Sequence, residues 1–218
     1  MTRYRWYKLH SQRDFNAILE KMKSMPFSVK NKEGFQIDDS YDNKIFSQFL
    51  YVRPFDNEGE TLSIVEIVDF VLFKIKDSIF LRIRNPGHGI KKLGNVLFDI
   101  CGYPFALEQI DIKFSDCEAL IKHYNFDSKV TLVKINNLFL SKDVESEMTF
   151  KSKNGLDLSQ FDFLSNKHYQ KTQMVWSINI DDASYNFSVL SSGLINISEY
   201  LTFDVLDYIE SDYLYKYT

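Results

Sequence analysis

The sequence predicts an α+β fold: a mainly antiparallel sheet with helices packed on it. Three observations carry this. Several runs rich in Val, Ile, Phe and Tyr are separated by tight-turn signals, notably Asp77-Ser78 and Asp181-Asp182-Ala183. Segments with helical spacing of apolar residues stand between those runs. The chain also has 19 Phe and 13 Tyr against 8 Gly and 4 Pro in 218 residues, which supplies core area and little low-complexity material.

The elements follow in order. "RYRWYKLH" reads as a strand. Ser11 is then the expected N-cap of a helix in "QRDFNAILEKMKS", where Phe15, Ile18, Leu19 and Met22 share a face. "IFSQFLYVRP" and "LSIVEIVDFVLFKIK" read as strands. The second alternates poorly, which predicts a buried or bulged strand rather than a half-exposed one. Asp77-Ser78 turns the chain into "IFLRIRN", and Pro86-Gly87 ends that strand. "HGIKKLGNVLFDICG" predicts a helix with Ile90, Leu93, Leu97 and Ile100 on one face and Gly102 as its stop.

In the second half, "FALEQIDIKF" reads as a strand and "SDCEALIKHY" as a helix with a capping box from Ser115 and Glu118. "KVTLVKINNLFL" and "EMTFKSKNG" are predicted strands, and "SQFDFLSNK" a short helix. The hairpin "TQMVWSINI-DDA-SYNFSVL" follows, and "SEYLTFDVLDYIE" closes as a helix capped by Ser198.

The helices around Phe15 and Cys117 lie 102 residues apart, and the turns at Asp77 and Asp182 lie 105 apart. These offsets suggest two pseudo-repeated β-α-β-β-α halves, 1–103 and 104–218, closely packed with a boundary at Tyr103-Pro104. The alternative is one α+β domain around a single large sheet.

Charge is unevenly spread. Residues 1–35 carry eight Lys or Arg against three Asp or Glu, whereas residues 181–218 carry one against seven. Such polarity can hold two parts of a fold or two subunits together, or aim a basic face at a polyanion. No apolar run approaches the ~18 residues of a membrane span, and the start has no apolar signal region. Cys101 and Cys117 form no metal or disulfide pattern. A soluble chain of a reducing cytoplasm is therefore expected, without metal or cofactor, and the Lys, Asn, Ile, Tyr and Phe usage points to a bacterium or mobile element.

Candidate binding residues cluster at one junction. Arg82 and Arg84 lie two apart on a strand and so share a face, and "NPGHGIKKLG" adds His88, Lys91 and Lys92 around a predicted helix N-terminus, a natural anion site. Neither a P-loop nor a three-glycine dinucleotide spacing is present. Arg3 and Arg5, with Tyr4, Trp6 and Tyr7 interleaved, form a second basic stripe whose rings can stack bases. Catalytic signals are thin. Asp99 with Asp111-Ile112-Lys113 has only a loose likeness to the carboxylate and lysine set of a metal-dependent nuclease, and the four histidines stand apart. The acidic, Tyr-rich segment 198–217 could dock a basic partner or its own sheet.

The expected function is accordingly a non-catalytic interaction or adaptor subunit of a larger assembly. A protein partner is expected, with contact to nucleic acid or an acidic partner through the basic residues. The alternative is a metal-dependent nuclease or another phosphodiester-processing enzyme.

Overall fold

The β-branched and aromatic runs form antiparallel strands, and the helical-period segments form helices. The computed structural model describes residues 1–57, 60–141, 143–165 and 167–218, with only the backbone of residues 60 and 61. The elements are β1 (Thr2–His10), α1 (Phe15–Lys23), β2 (Glu33–Tyr41), β3 (Lys44–Asn57), β4 (Glu60–Ile75), β5 (Ser78–Arg84), α2 (Ile90–Cys101) and β6 (Ala106–Gln109). Then come α3 (Phe114–His123), β7 (Asp127–Ser141), β8 (Val144–Lys151), β9 (Gln170–Ile180), β10 (Ala183–Leu190), β11 (Ile195–Ile197) and α4 (Thr202–Ser211). The α+β class and the antiparallel sheet are as predicted.

The chain divides into two units, Tyr4–Ile110 with Leu214–Thr218, and Asp111–Tyr213 with Met1–Arg3. The division thus falls at Ile110 rather than at Tyr103-Pro104. In the first unit the strand order is β2-β3-β4-β5-β1, with β6 also paired to β1. Alternation sends Tyr7, Leu9, Ile79, Leu81, Ile83, Phe70, Leu72, Ile45 and Phe49 to one face. There they form a core with Phe15, Ile18 and Met22 of α1 and Leu93, Leu97 and Ile100 of α2. The other face carries Lys44, Phe46, Gln48, Asp69, Arg82 and Arg84.

In the second unit the order is β11-β10-β9-β7-β8. Here α3 buries Cys117, Leu120 and Ile121, and α4 buries Val205 and Ile209. Tyr213 Oη lies 2.9 Å from an Asp116 carboxylate oxygen and 3.0 Å from the Asp111 carbonyl, both acceptors for its proton. The pairing does not repeat between units. β3, the second strand after the first helix, pairs with β4, whereas in the other unit it is β7, the first strand after α3, that pairs with β9.

Several local expectations shift by a residue or two. Asp14, not Ser11, caps α1: its Oδ1 accepts the Ala17 N–H at 2.8 Å, while the Ser11 hydroxyl is engaged with Arg13. Lys113 precedes α3, and its N–H donates to the Asp116 carboxylate at 2.8 Å, so the expected Ser115–Glu118 box sits two residues too late. Ser198 stands before a 3₁₀ turn rather than α4, and its hydroxyl accepts the Asn186 N–H and donates to the Asn186 carbonyl, so its side chain makes no cap. The expected 105–114 strand is only β6. The helix expected over 159–167 is two 3₁₀ turns, Leu158–Gln160 and Asp162–Leu164, and its Asn166 lies outside the described residues.

The hairpin turns have a physical basis. Asp181 and Asp182 adopt φ of 47° and 65°, the left-handed pair a two-residue turn between Ile180 and Ala183 requires. In the first unit the turn is Lys76-Asp77, one residue earlier than expected, because Ile75 pairs with Ser78. Gly102 ends α2 at φ 72°, as predicted.

Candidate functional site

The cations predicted to surround one junction are distributed over both sides of the first unit's sheet. On β5, Arg82 is only 9% exposed, opposite Trp6 in register, with its guanidinium 5.7 Å from the Tyr4 ring centre. Its burial departs from the exposed basic stripe expected of it. Arg84 is exposed at the strand end, opposite Tyr4. Both line a cleft of about 260 Å³ with Asp38, Phe46, Gln48 and Asp69. The Gln48 amide donates to Asp69 at 2.7 Å. Two guanidiniums thus share the cleft with two carboxylates, which is a mixed polar surface rather than a cationic grip.

Lys92 lies on the helix-covered side. Its Nζ sits 4.7 Å from the Tyr51 ring centre and 3.2 Å from a Glu33 carboxylate oxygen. His88 and Lys91 are exposed. Gly89 precedes α2 because a Cβ there would meet Val68 Cγ2 at 2.4 Å and Tyr51 at 3.0 Å. The glycine lets the helix start pack onto the sheet, and no side chain caps that end.

On β1, Arg3 is exposed and Arg5 half-buried, while Tyr4, Trp6 and Tyr7 are buried. Their ring faces belong to packing and offer no stacking platform. Asp99, Asp111 and Lys113 are all exposed, and among the described residues no group of three His, Cys, Asp or Glu side chains gathers as a metal site. His10 Nε2 meets a Glu108 carboxylate oxygen at 2.9 Å, both exposed. Burial pushes the Cys117 thiol up, helped by Asp116 and Glu118. It also raises Cys101, with Ser11 and Arg13 pulling back. Among the described residues no helix is long and apolar enough to cross a membrane.

The feature that sequence reading missed is an arm. β3 and β4 pair without a register shift from Lys44↔Phe73 to Asn57↔Glu60. β2 accompanies β3 only as far as Tyr51, and β5 accompanies β4 only from Phe70. Residues 52–57 and 60–69 therefore run on as a two-stranded ribbon with no flanking strand among the described residues. Along β4 the ribbon exposes four aliphatic side chains, Leu62 40%, Ile64 36%, Val65 48% and Ile67 54%, beside the exposed polar residues Arg53, Asp56, Asn57 and Ser63. Leu62 and Ile64 lie on one face and Val65 and Ile67 on the other, so neither face is covered. The expectation of a buried or bulged strand holds only for the burial of Val68 and Phe70–Phe73. The signal for it is length, since the 15-residue run 62–76 far exceeds the seven residues of "IFLRIRN" beyond the turn. No protein-family model matches this chain, and no curated protein matches it.

Proposed function

We propose that this chain is a non-catalytic interaction subunit that binds a protein partner through the β3–β4 arm. The supporting observation is the exposure of Leu62, Ile64, Val65 and Ile67 on a ribbon that has no flanking strand among the described residues. An isolated two-stranded ribbon is marginally stable in water, and exposed apolar strands of this kind are sites of association. Full burial of an aliphatic side chain is worth ~1.5–3 kcal/mol, so covering four that are about half exposed offers roughly 3–6 kcal/mol. That is sufficient for a specific contact once backbone pairing is added. The predicted cations support the reading less, because Arg82 is buried and Lys92 is engaged by Glu33 and Tyr51.

The test is affinity purification of the tagged chain from its source cells, compared with a Leu62→Ser, Ile64→Ser, Val65→Ser, Ile67→Ser variant of equal thermal midpoint. Recovery of a stoichiometric partner, another protein or an untagged copy, with the wild type alone is expected. Identical captured sets, or no stoichiometric partner in either, would overturn the reading.

A further inference from the structure

We infer that the first unit also binds a small molecule bearing a phosphoryl group, in a cavity at the end of the sheet remote from the arm. This goes beyond the protein-partner reading and does not depend on it. β1 ends at His10, β4 ends at Ile75 and β5 begins at Ser78, and these ends meet the loop 11–14 that leads into α1. Between them lies a cavity of about 490 Å³, within the ~300–1,000 Å³ of small-molecule sites. Leu9, Phe15, Ile79 and Pro104 give it an apolar wall, and Lys8, His10, Arg13 and Lys74 bring four basic side chains to it.

The way these charges are held points to the occupant. Lys8 Nζ donates to the Tyr217 carbonyl, and Arg13 Nη1 donates to the Ile100 carbonyl at 2.6 Å. Both acceptors are neutral, and among the described residues no carboxylate stands within ion-pair distance of either cation. A backbone carbonyl orients a cation without cancelling its charge, so two fixed, half-buried positive charges remain on the cavity wall. The other two basic groups have carboxylates: His10 meets Glu108 at 2.9 Å, and Lys74 lies 3.9 Å from the fully exposed Asp77. Asp14 also lines the cavity, but its Oδ1 accepts the Ala17 N–H at 2.8 Å, where the positive end of α1 offsets its charge.

Two uncancelled charges on one wall match a dianion. A phosphate monoester carries about −1.5 to −2 on a single group with three acceptor oxygens. The Arg13 fork keeps N–H groups for them after its bond to Ile100, and Lys8 adds a point charge. A monocarboxylate would leave one of the two charges unanswered. The cavity is larger than a phosphoryl group alone, and its apolar wall accommodates an organic body, with Gln12 and Ser78 as neutral polar contacts.

The experiment titrates the full chain with inorganic phosphate against chloride at constant ionic strength, following backbone amide NMR signals. Saturable one-to-one binding is expected, with shifts centred on residues 8–14 and 77–79. Lys8→Gln and Arg13→Gln each keep a side-chain donor and lose the charge, and each is expected to weaken phosphate binding at least about tenfold. Lys91→Gln, which removes an exposed cation of α2 outside the cavity, is expected to leave binding unchanged. Where Arg13→Gln lowers the thermal midpoint, Lys8→Gln and the wild-type shift map decide. Absence of saturable binding, shifts centred elsewhere, undiminished binding by Lys8→Gln, or an equal loss in Lys91→Gln overturns the site. Tighter binding of succinate than of phosphate rejects the phosphoryl group. The fourfold serine variant of the arm is expected to bind phosphate as the wild type does, so this site and the arm stand or fall separately.

Discussion

Arg53 reaches diagonally across the arm to Glu66, Nε to Oε1 2.8 Å, although the register partner of Glu66 is Tyr51. Long side chains span such diagonals. The contact neutralises the one carboxylate between Leu62 and Val68, leaving the outer strand without net charge on its apolar stretch. Because the pair is partly exposed, Arg53→Ala is expected to lower folding stability by less than ~1 kcal/mol in urea titrations. It should weaken partner capture through the arm more visibly, since the Glu66 charge then stands unneutralised on the apolar stretch. A loss of several kcal/mol of stability with unchanged capture would contradict this assignment.

The glycines near α2 are expected to separate by environment. Gly89→Ala forces a Cβ into Val68 and Tyr51, and overpacking of this kind costs about 1–3 kcal/mol. Gly94→Ala, inside the helix with its nearest contact at 3.5 Å, is expected to stabilise by ~0.5–1 kcal/mol. Gly87→Ala, with nothing closer than 3.9 Å, should stay within ~0.5 kcal/mol of the wild type. Chemical denaturation midpoints read all three. Equal effects at Gly87 and Gly89 would remove the packing explanation.

Arg82 and Arg84 are two residues apart with opposite expected sensitivities. Arg82 is buried beside Tyr4, so Arg82→Gln is expected to destabilise by ~1–3 kcal/mol. Arg84 is exposed, and Arg84→Gln is expected within ~0.5 kcal/mol of wild type. Because Lys92 lies across the sheet, adding Lys91→Gln and Lys92→Gln to Arg84→Gln should reduce retention on a polyanion column additively. A cooperative loss would restore a single anion grip.

Both thiols are expected to resist labelling in the native state at pH 8 and to react on unfolding, since burial disfavours each thiolate. The linkage has a definite sign. A thiol raised in the folded state contributes stability that is fully present below the unfolded value of ~8.5 and is lost as pH rises above it, with a slope on the order of 1.4 kcal/mol per pH unit per group. Stability should therefore decline from about pH 8.5 upward. Ionisation of Tyr124, raised first by burial and then by Asp207, and of Tyr208, raised by burial and Asp212, steepens the loss above ~10. A flat profile in a Cys101→Ala, Cys117→Ala variant up to pH 10 checks the origin.

What could be read from sequence was local. The Asp181-Asp182 turn, the Gly102 stop and the faces of α1 and α2 follow from backbone conformation and period, which neighbouring residues encode. The caps differ because Ser11 and Asp14 compete within one turn before α1, and because α3 starts at Phe114, which makes Asp116 rather than Glu118 the carboxylate that reaches back to the preceding N–H. β2 was missed because "EGFQIDDSY" is mostly polar and owes its pairing to β3, and β11 because it has only three residues. The separation of Arg82 from Lys92 depends on which sheet face the helices cover, a tertiary fact that no residue spacing carries. The arm follows from a mismatch in strand lengths, which becomes meaningful only when strand neighbours are known.

Neither compact unit is a contiguous stretch of sequence, because Met1–Arg3 groups with Asp111–Tyr213 and Leu214–Thr218 groups with Tyr4–Ile110. A fragment ending at Ile110 forfeits Leu214, which is wholly buried, and the Tyr217 carbonyl that accepts from Lys8. A fragment starting at Asp111 keeps those residues without the strand they serve. The units are consequently not transplantable modules. A gene cut at this point yields halves that need one another to mature, and any shuffling that moved one half alone would strand a piece of the other.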